Sequence, residues 1–182
     1  MRAMGPGSIS SFLKIILDVV FAALWIGIAV VGVIALAGLL VSLNPDLLAT
    51  LKANARSTPD SDLGKVLDNV PRVVSVLTAI VLYLGGILVI VGSLRRIFTT
   101  LTAGDPFHPD NVARLRLIGL MLAALELGRY AFWAFSVWLL PLVAKDQPSL
   151  SLTAWFSVLV VFVLAEVFRE GARLRREAEL TI

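Results

Sequence analysis

The 182-residue chain has no cysteine and a single histidine. Disulfides, thiolate nucleophiles and cysteine-based zinc sites are excluded, and one imidazole, His108, would have to serve all acid–base or metal chemistry. Charge is scarce too: Asp, Glu, Lys and Arg make up 16% of residues, where a soluble domain has about a quarter. There is no GxxxxGK(S/T), GxGxxG, HExxH or GxSxG pattern. The serines and threonines lack a histidine base, so nucleophilic catalysis has no starting point. No enzymatic activity, metal or cofactor is expected. His108, between Phe107 and Pro109, reads as a solvated loop residue.

Apolar residues fill the chain instead. They make up 58% of it, and the mean hydropathy is +0.91. A core this small cannot enclose so much apolar surface, whereas lipid can. The net charge of +3 would suit a nucleic-acid binder. The basic residues, however, sit at the ends of apolar runs, where membrane topology accounts for them, so no direct nucleic-acid contact is expected.

Four apolar runs stand out. The first, 11–43, carries only Lys14 and Asp18. It exceeds the roughly 7–15 residues of a signal-peptide core and reads as an uncleaved crossing. Ala23, Gly27, Gly32, Ala35 and Gly38 would let a neighbouring helix approach closely, although no GxxxG is present. The others span about 72–94, 112–143 and 151–168, and the last continues as a charged helical stalk to 179. Trp138 and Trp155 suit the interfacial aromatic belt.

In the loop 44–71, Asn44-Pro45-Asp46 reads as N-cap, first helical residue and first-turn acid. Leu47, Leu48, Leu51 and Ala55, then Leu63, Val66, Leu67 and Val70, recur at helical spacing around a break at 57–60. Two short amphipathic helices are expected, lying on the membrane surface or capping the bundle, or else offered to a partner. A polar hinge, 95–111, separates the second and third crossings, with Asp110 or Asn111 placed to cap the third.

Lys and Arg are unequally divided between the two sides. Arg2, Lys14, Arg95, Arg96, Arg114, Arg116, Arg169, Arg173, Arg175 and Arg176 fall on one; Lys52, Arg56, Lys65, Arg72 and Lys145 fall on the other. The richer side, with both termini and the hinge, is expected in the cytoplasm, which makes the loop 44–71 extracytoplasmic.

Ionisable groups within a bilayer cost about 2.5–3.5 kcal/mol each at a helix centre. Asp18, Glu126, Arg129 and Glu166 are such groups here, with Glu126 and Arg129 three residues apart on one helix face. The orientation above would gather them into one polar cluster in the cytoplasmic half. It would either tie the helices together or serve as a proton or ion site.

The hinge reads Phe98-x-x-Leu101-x-x-Gly104-x-Pro106-Phe107, then Asn111-x-x-x-Leu115-Arg116-x-Ile118-Gly119, and the chain ends AEVFREGARLRREAELTI. These features resemble a bacterial four-helix membrane family catalogued as domain of unknown function 2975. The resemblance implies four transmembrane helices and no established enzymatic activity. Members are often encoded beside a small helix-turn-helix regulator, which implies a membrane partner of a transcription factor. The loop 44–71 lies outside the resemblance.

The expected fold is therefore all-α: an integral membrane bundle of four transmembrane helices with a short amphipathic helical extracytoplasmic loop. The leading expected function is a non-catalytic regulator or accessory subunit of the bacterial inner membrane. It would bind a membrane complex or a small cytosolic regulator through Arg95, Arg96, Phe107, Asn111, Arg116, Arg169, Arg173 and Arg176. The alternative is a proton- or solute-coupled carrier using Asp18, Glu126, Arg129 and Glu166.

Overall fold

The computed structural model describes residues 9–56, 63–139 and 149–180. Their elements are all helical: α1 (Ile9–Leu43), α2 (Pro45–Arg56), α3 (Leu63–Asp68), α4 (Val70–Thr102), α5 (Pro109–Leu139) and α6 (Leu152–Glu179). α1, α4, α5 and α6 are long and apolar enough to cross a membrane. The protein is all-α with four transmembrane helices, and the burial pattern suits lipid as its solvent. Leu82 is 71% exposed and Phe156 65%, positions that water would penalise and acyl chains do not. The expected break at 57–60 and the residues 140–143 lie outside the described residues, as does the Trp138 side chain.

The chain divides into two compact units. In one, Trp25–Gly85, α1 runs to Leu43 and α2 follows at once: the Asn44 carbonyl accepts the Leu48 N–H at 3.0 Å, and Pro45 opens the helix where its missing N–H costs nothing. α2 and α3 pack on each other, joined by a Lys52–Asp68 ion pair at 3.2 Å. α4 begins at Val70, its first turn closed by the Asn69 carbonyl on the Val73 N–H at 3.0 Å.

The other unit holds the described residues up to Leu24 and those from Gly86 onward. It contains the start of α1, the end of α4, α5 and α6. Its buried core is Ile97, Leu115, Ile118 and Ala165, flanked by Ile90, Leu94, Leu101, Leu122, Val161 and Phe168. α5 and α6 run antiparallel: Gly119 faces the Phe162 ring, while Arg129 reaches Ser149 just before α6 begins.

Arg95 and Arg96 do not end α4, as the expected hinge 95–111 required. Charge ends the lipid-compatible stretch without breaking a helix. Thr99 and Thr102 donate their hydroxyls to the Arg95 and Phe98 carbonyls, and the helix runs on to Thr102. The stop comes at Gly104, which takes φ +85°. Around it, the Asp105 N–H reaches the Thr100 carbonyl and the Gly104 N–H reaches Leu101, both at 3.1 Å, satisfying the last carbonyls of α4. Only glycine adopts this backbone freely, so Gly104→Val is expected to cost about 1–2 kcal/mol. Gly85→Ala, in a helix interior with nothing near the added methyl, should not destabilise. Chemical unfolding of both variants in detergent tests the contrast.

The non-helical connection thus shrinks to 103–108, and α5 begins at Pro109. Neither Asp110 nor Asn111 caps it. His108 does: its carbonyl accepts the Asn111 N–H at 2.9 Å, and its Nδ1 accepts the Asp110 N–H at 3.2 Å. His108 thus lies in the loop with a partly exposed side chain, as expected, and is in addition a helix cap, a role residue preferences hide because Asp and Asn usually hold it.

Candidate functional site

The residues singled out from the sequence fall into four places, all in the unit that contains the hinge. The first is the turn between α4 and α5. Asn111, expected on a cytosolic contact surface, is completely buried, with 0% of its surface exposed. Its amide nitrogen donates to Thr100 Oγ1 at 2.7 Å and to the Pro106 carbonyl at 3.1 Å. Its oxygen accepts from Arg114 Nη1 at 3.1 Å. Asn111 is therefore an internal strut rather than a contact residue. A buried amide survives only when its donors and acceptor are matched, and the turn matches all of them.

The second place is where the turn meets the α6 stalk. The Phe107 ring packs against Phe168, centroids 5.7 Å apart, and also covers Gly171, where an added methyl would come within 2.5 Å of it. Asp105 pairs with Arg175 of the stalk. Turn and stalk are thereby locked together, and beside them lies a groove of about 480 Å³ between α5 and α6. Arg116, Arg169, Arg173 and Arg176 line it, with Glu170 as the one acid. Arg173 pairs with Glu170 at 2.7 Å and Glu177 at 3.4 Å, and Arg169 pairs with Glu166. Among the described residues, no acid pairs with Arg116 or Arg176.

The third place holds Arg95 and Arg96, which join neither the stalk nor its groove. Arg95 Nε reaches Asp18 Oδ1 at 2.6 Å, and its guanidinium lies 4.4 Å from the centre of the Phe21 ring. Both arginines line a separate groove of about 530 Å³ between α1, α4 and α5. Lys14 and Arg114 line it as well, residues that served only as topology markers in the sequence.

The fourth place is far along α5. Arg129 Nη2 donates to Glu126 Oε1 at 2.7 Å and to the Ser149 carbonyl at 2.9 Å, and the Tyr130 hydroxyl donates to the same carboxylate oxygen at 2.8 Å. Glu126 lies 11 residues beyond Leu115, about 16 Å along the helix at 1.5 Å per residue. Asp18, by contrast, is held by Arg95 beside the core residue Ile97, and Glu166 follows Ala165, which packs in that same core. The expected single cluster of Asp18, Glu126, Arg129 and Glu166 is not what the structure contains. Each acid has its own arginine: Arg95 for Asp18, Arg129 for Glu126 and Arg169 for Glu166. Where α6 starts relative to α5 causes this separation. Its first residues stand level with Arg129, which puts Glu126 toward the end of the unit away from the hinge.

The resemblance motif acquires a physical meaning here. Gly104 ends α4, Pro106 accepts from the buried Asn111, Phe107 holds the stalk, and Leu115 and Ile118 form the core. A family model described as a protein of unknown function, DUF2975, matches residues 53–182, which takes in most of the loop 44–71, expected to lie outside the resemblance. No curated protein and no solved structure matches the chain.

Proposed function

We propose that this chain, which belongs to the DUF2975 family, is a non-catalytic protein of the bacterial cytoplasmic membrane that binds an acidic segment of another protein. It would act as a regulator or accessory subunit. The observation that carries this reading is the locked turn and stalk. A helix that projects past its apolar portion ordinarily frays, but here Phe107 on Gly171 and the Asp105–Arg175 pair hold it against the α4–α5 turn. The basic groove of Arg116, Arg169, Arg173 and Arg176 is thus presented on a preorganised frame, which reduces the ordering cost of binding. The start of α1 and the end of α6 lie at the same end of the unit as the turn, and the Lys and Arg bias favours a cytoplasmic position for that end.

A carrier would need a shared path for Asp18, Glu126, Arg129 and Glu166, and the pairing of each acid with its own arginine favours the binding reading instead. The test is affinity purification of the full-length protein in mild detergent, with partners identified by mass spectrometry. A stoichiometric partner is expected with the wild type. It should be lost when Arg116 and Arg176 become Gln, and when 169–182 is deleted. Retention of the same partner by both variants would remove the groove from the interface.

A further inference from the structure

We infer that the groove between α1, α4 and α5 binds the headgroup phosphate of an anionic phospholipid, with an acyl chain lying along its apolar wall. Four cations, Lys14, Arg95, Arg96 and Arg114, line it against the single acid Asp18. Two of the four are held in place. Arg95 is fixed by Asp18 and the Phe21 ring, while Arg114 is held by Asn111 Oδ1 at 3.1 Å, the Arg96 carbonyl at 3.4 Å and an ion pair with Asp110 at 3.6 Å, so two acids offset two of the four cations. Among the described residues, no acid pairs with Lys14 or Arg96. The site therefore has excess positive charge on a partly rigid frame, as phosphate recognition requires.

Lipid is favoured over a free phosphate by the order of residues along each helix. On α4 the lining passes from Thr99, Arg96 and Arg95 to Val89, about 15 Å away by helical rise. On α1 it passes from Lys14 to Phe21, and on α5 from Arg114 to Leu117. All three helices grade from polar to apolar toward the interior of their membrane-spanning stretches. A free anion uses only the polar end. A phospholipid uses both, with its phosphate among the cations and its chain beside Val89, Phe21 and Leu117. Basic pockets between transmembrane helices recognise anionic headgroups in this way. The inference is independent of the protein-binding reading, which concerns a different groove.

Native mass spectrometry of the full-length protein, with phosphatidylglycerol and phosphatidylcholine of matched chains in equal amounts, tests it. Wild type should retain phosphatidylglycerol preferentially. Lys14→Gln and Arg96→Gln should each lower that preference about fivefold, from roughly one kilocalorie per surface cation. Lys52→Gln, which removes one charge from α2, should leave it unchanged. A second arm needs no variant: wild-type preference should fall with added salt but survive excess inorganic phosphate at constant ionic strength. Equal retention of the two lipids, an equal loss in all three variants, salt-independent retention, or displacement by phosphate would each overturn the proposal.

Discussion

Asn111→Ala is expected to lower the folding stability of the protein by about 2–3 kcal/mol, the cost of leaving buried polar groups without partners. The side chain is completely enclosed, and its removal strands the Pro106 carbonyl and takes from Arg114 its 3.1 Å acceptor. Thr100 loses its 2.7 Å donor, although its hydroxyl still reaches the Ile97 carbonyl. Among the described residues, no other side chain bonds to the end of α4, the turn and the start of α5 together. The loss should therefore appear both globally and locally. Unfolding of purified protein by SDS in mixed micelles measures the first, and trypsin cleavage after Arg114 and Arg116 measures the second. Asp110→Ala, at an exposed neighbouring position, should have a much smaller effect. If the two variants unfold alike, Asn111 is not the strut described here.

The second large effect is expected at Arg129. Its carboxylate partner Glu126 is the more enclosed of the two, with 11% of its side chain exposed against 41% for the arginine. Arg129→Ala leaves that carboxylate with only the Tyr130 hydroxyl and removes the donor to the Ser149 carbonyl, so α5 loses its polar tie to the beginning of α6. An uncompensated charge in an apolar setting costs more than a missing pair. The thermal midpoint in detergent should fall by several degrees, and further than for Glu126→Gln. Replacing both residues by leucine should recover most of the loss, because an apolar pair suits lipid and leaves no orphan charge. An unchanged midpoint in Arg129→Ala would show that the 2.7 Å contact contributes nothing.

The two variants also bear on how legible the protein is. The Glu126–Arg129 pairing could be read from their spacing, because residues three apart on a helix are neighbours whatever surrounds them. Asn111 could not be placed, because burial depends on what packs over a residue. As a polar side chain in a polar hinge it reads as exposed, and only the convergence of Thr100, Pro106 and Arg114 encloses it. Arg95 and Arg96 were misleading for another reason. They mark where the apolar stretch ends, yet helix ends are governed by backbone hydrogen bonding, and that changes only at Gly104.

What the sequence by itself determined is everything that depends on composition and local spacing. The membrane as solvent follows from the apolar content, the four crossings from run length, the start of α2 from Asn44-Pro45, and the Glu170–Arg173 pair of the stalk from the three-residue spacing. Tertiary structure alone decided which charges meet. It assigned Asp18 to Arg95, Asp105 to Arg175, and Arg129 to the carbonyl ahead of α6. It also divided the basic residues of the hinge and stalk between two grooves. The reason is geometric: contacts between helices depend on register and rotation, which are set by packing around Ile97, Leu115, Ile118 and Ala165, residues far apart in the chain.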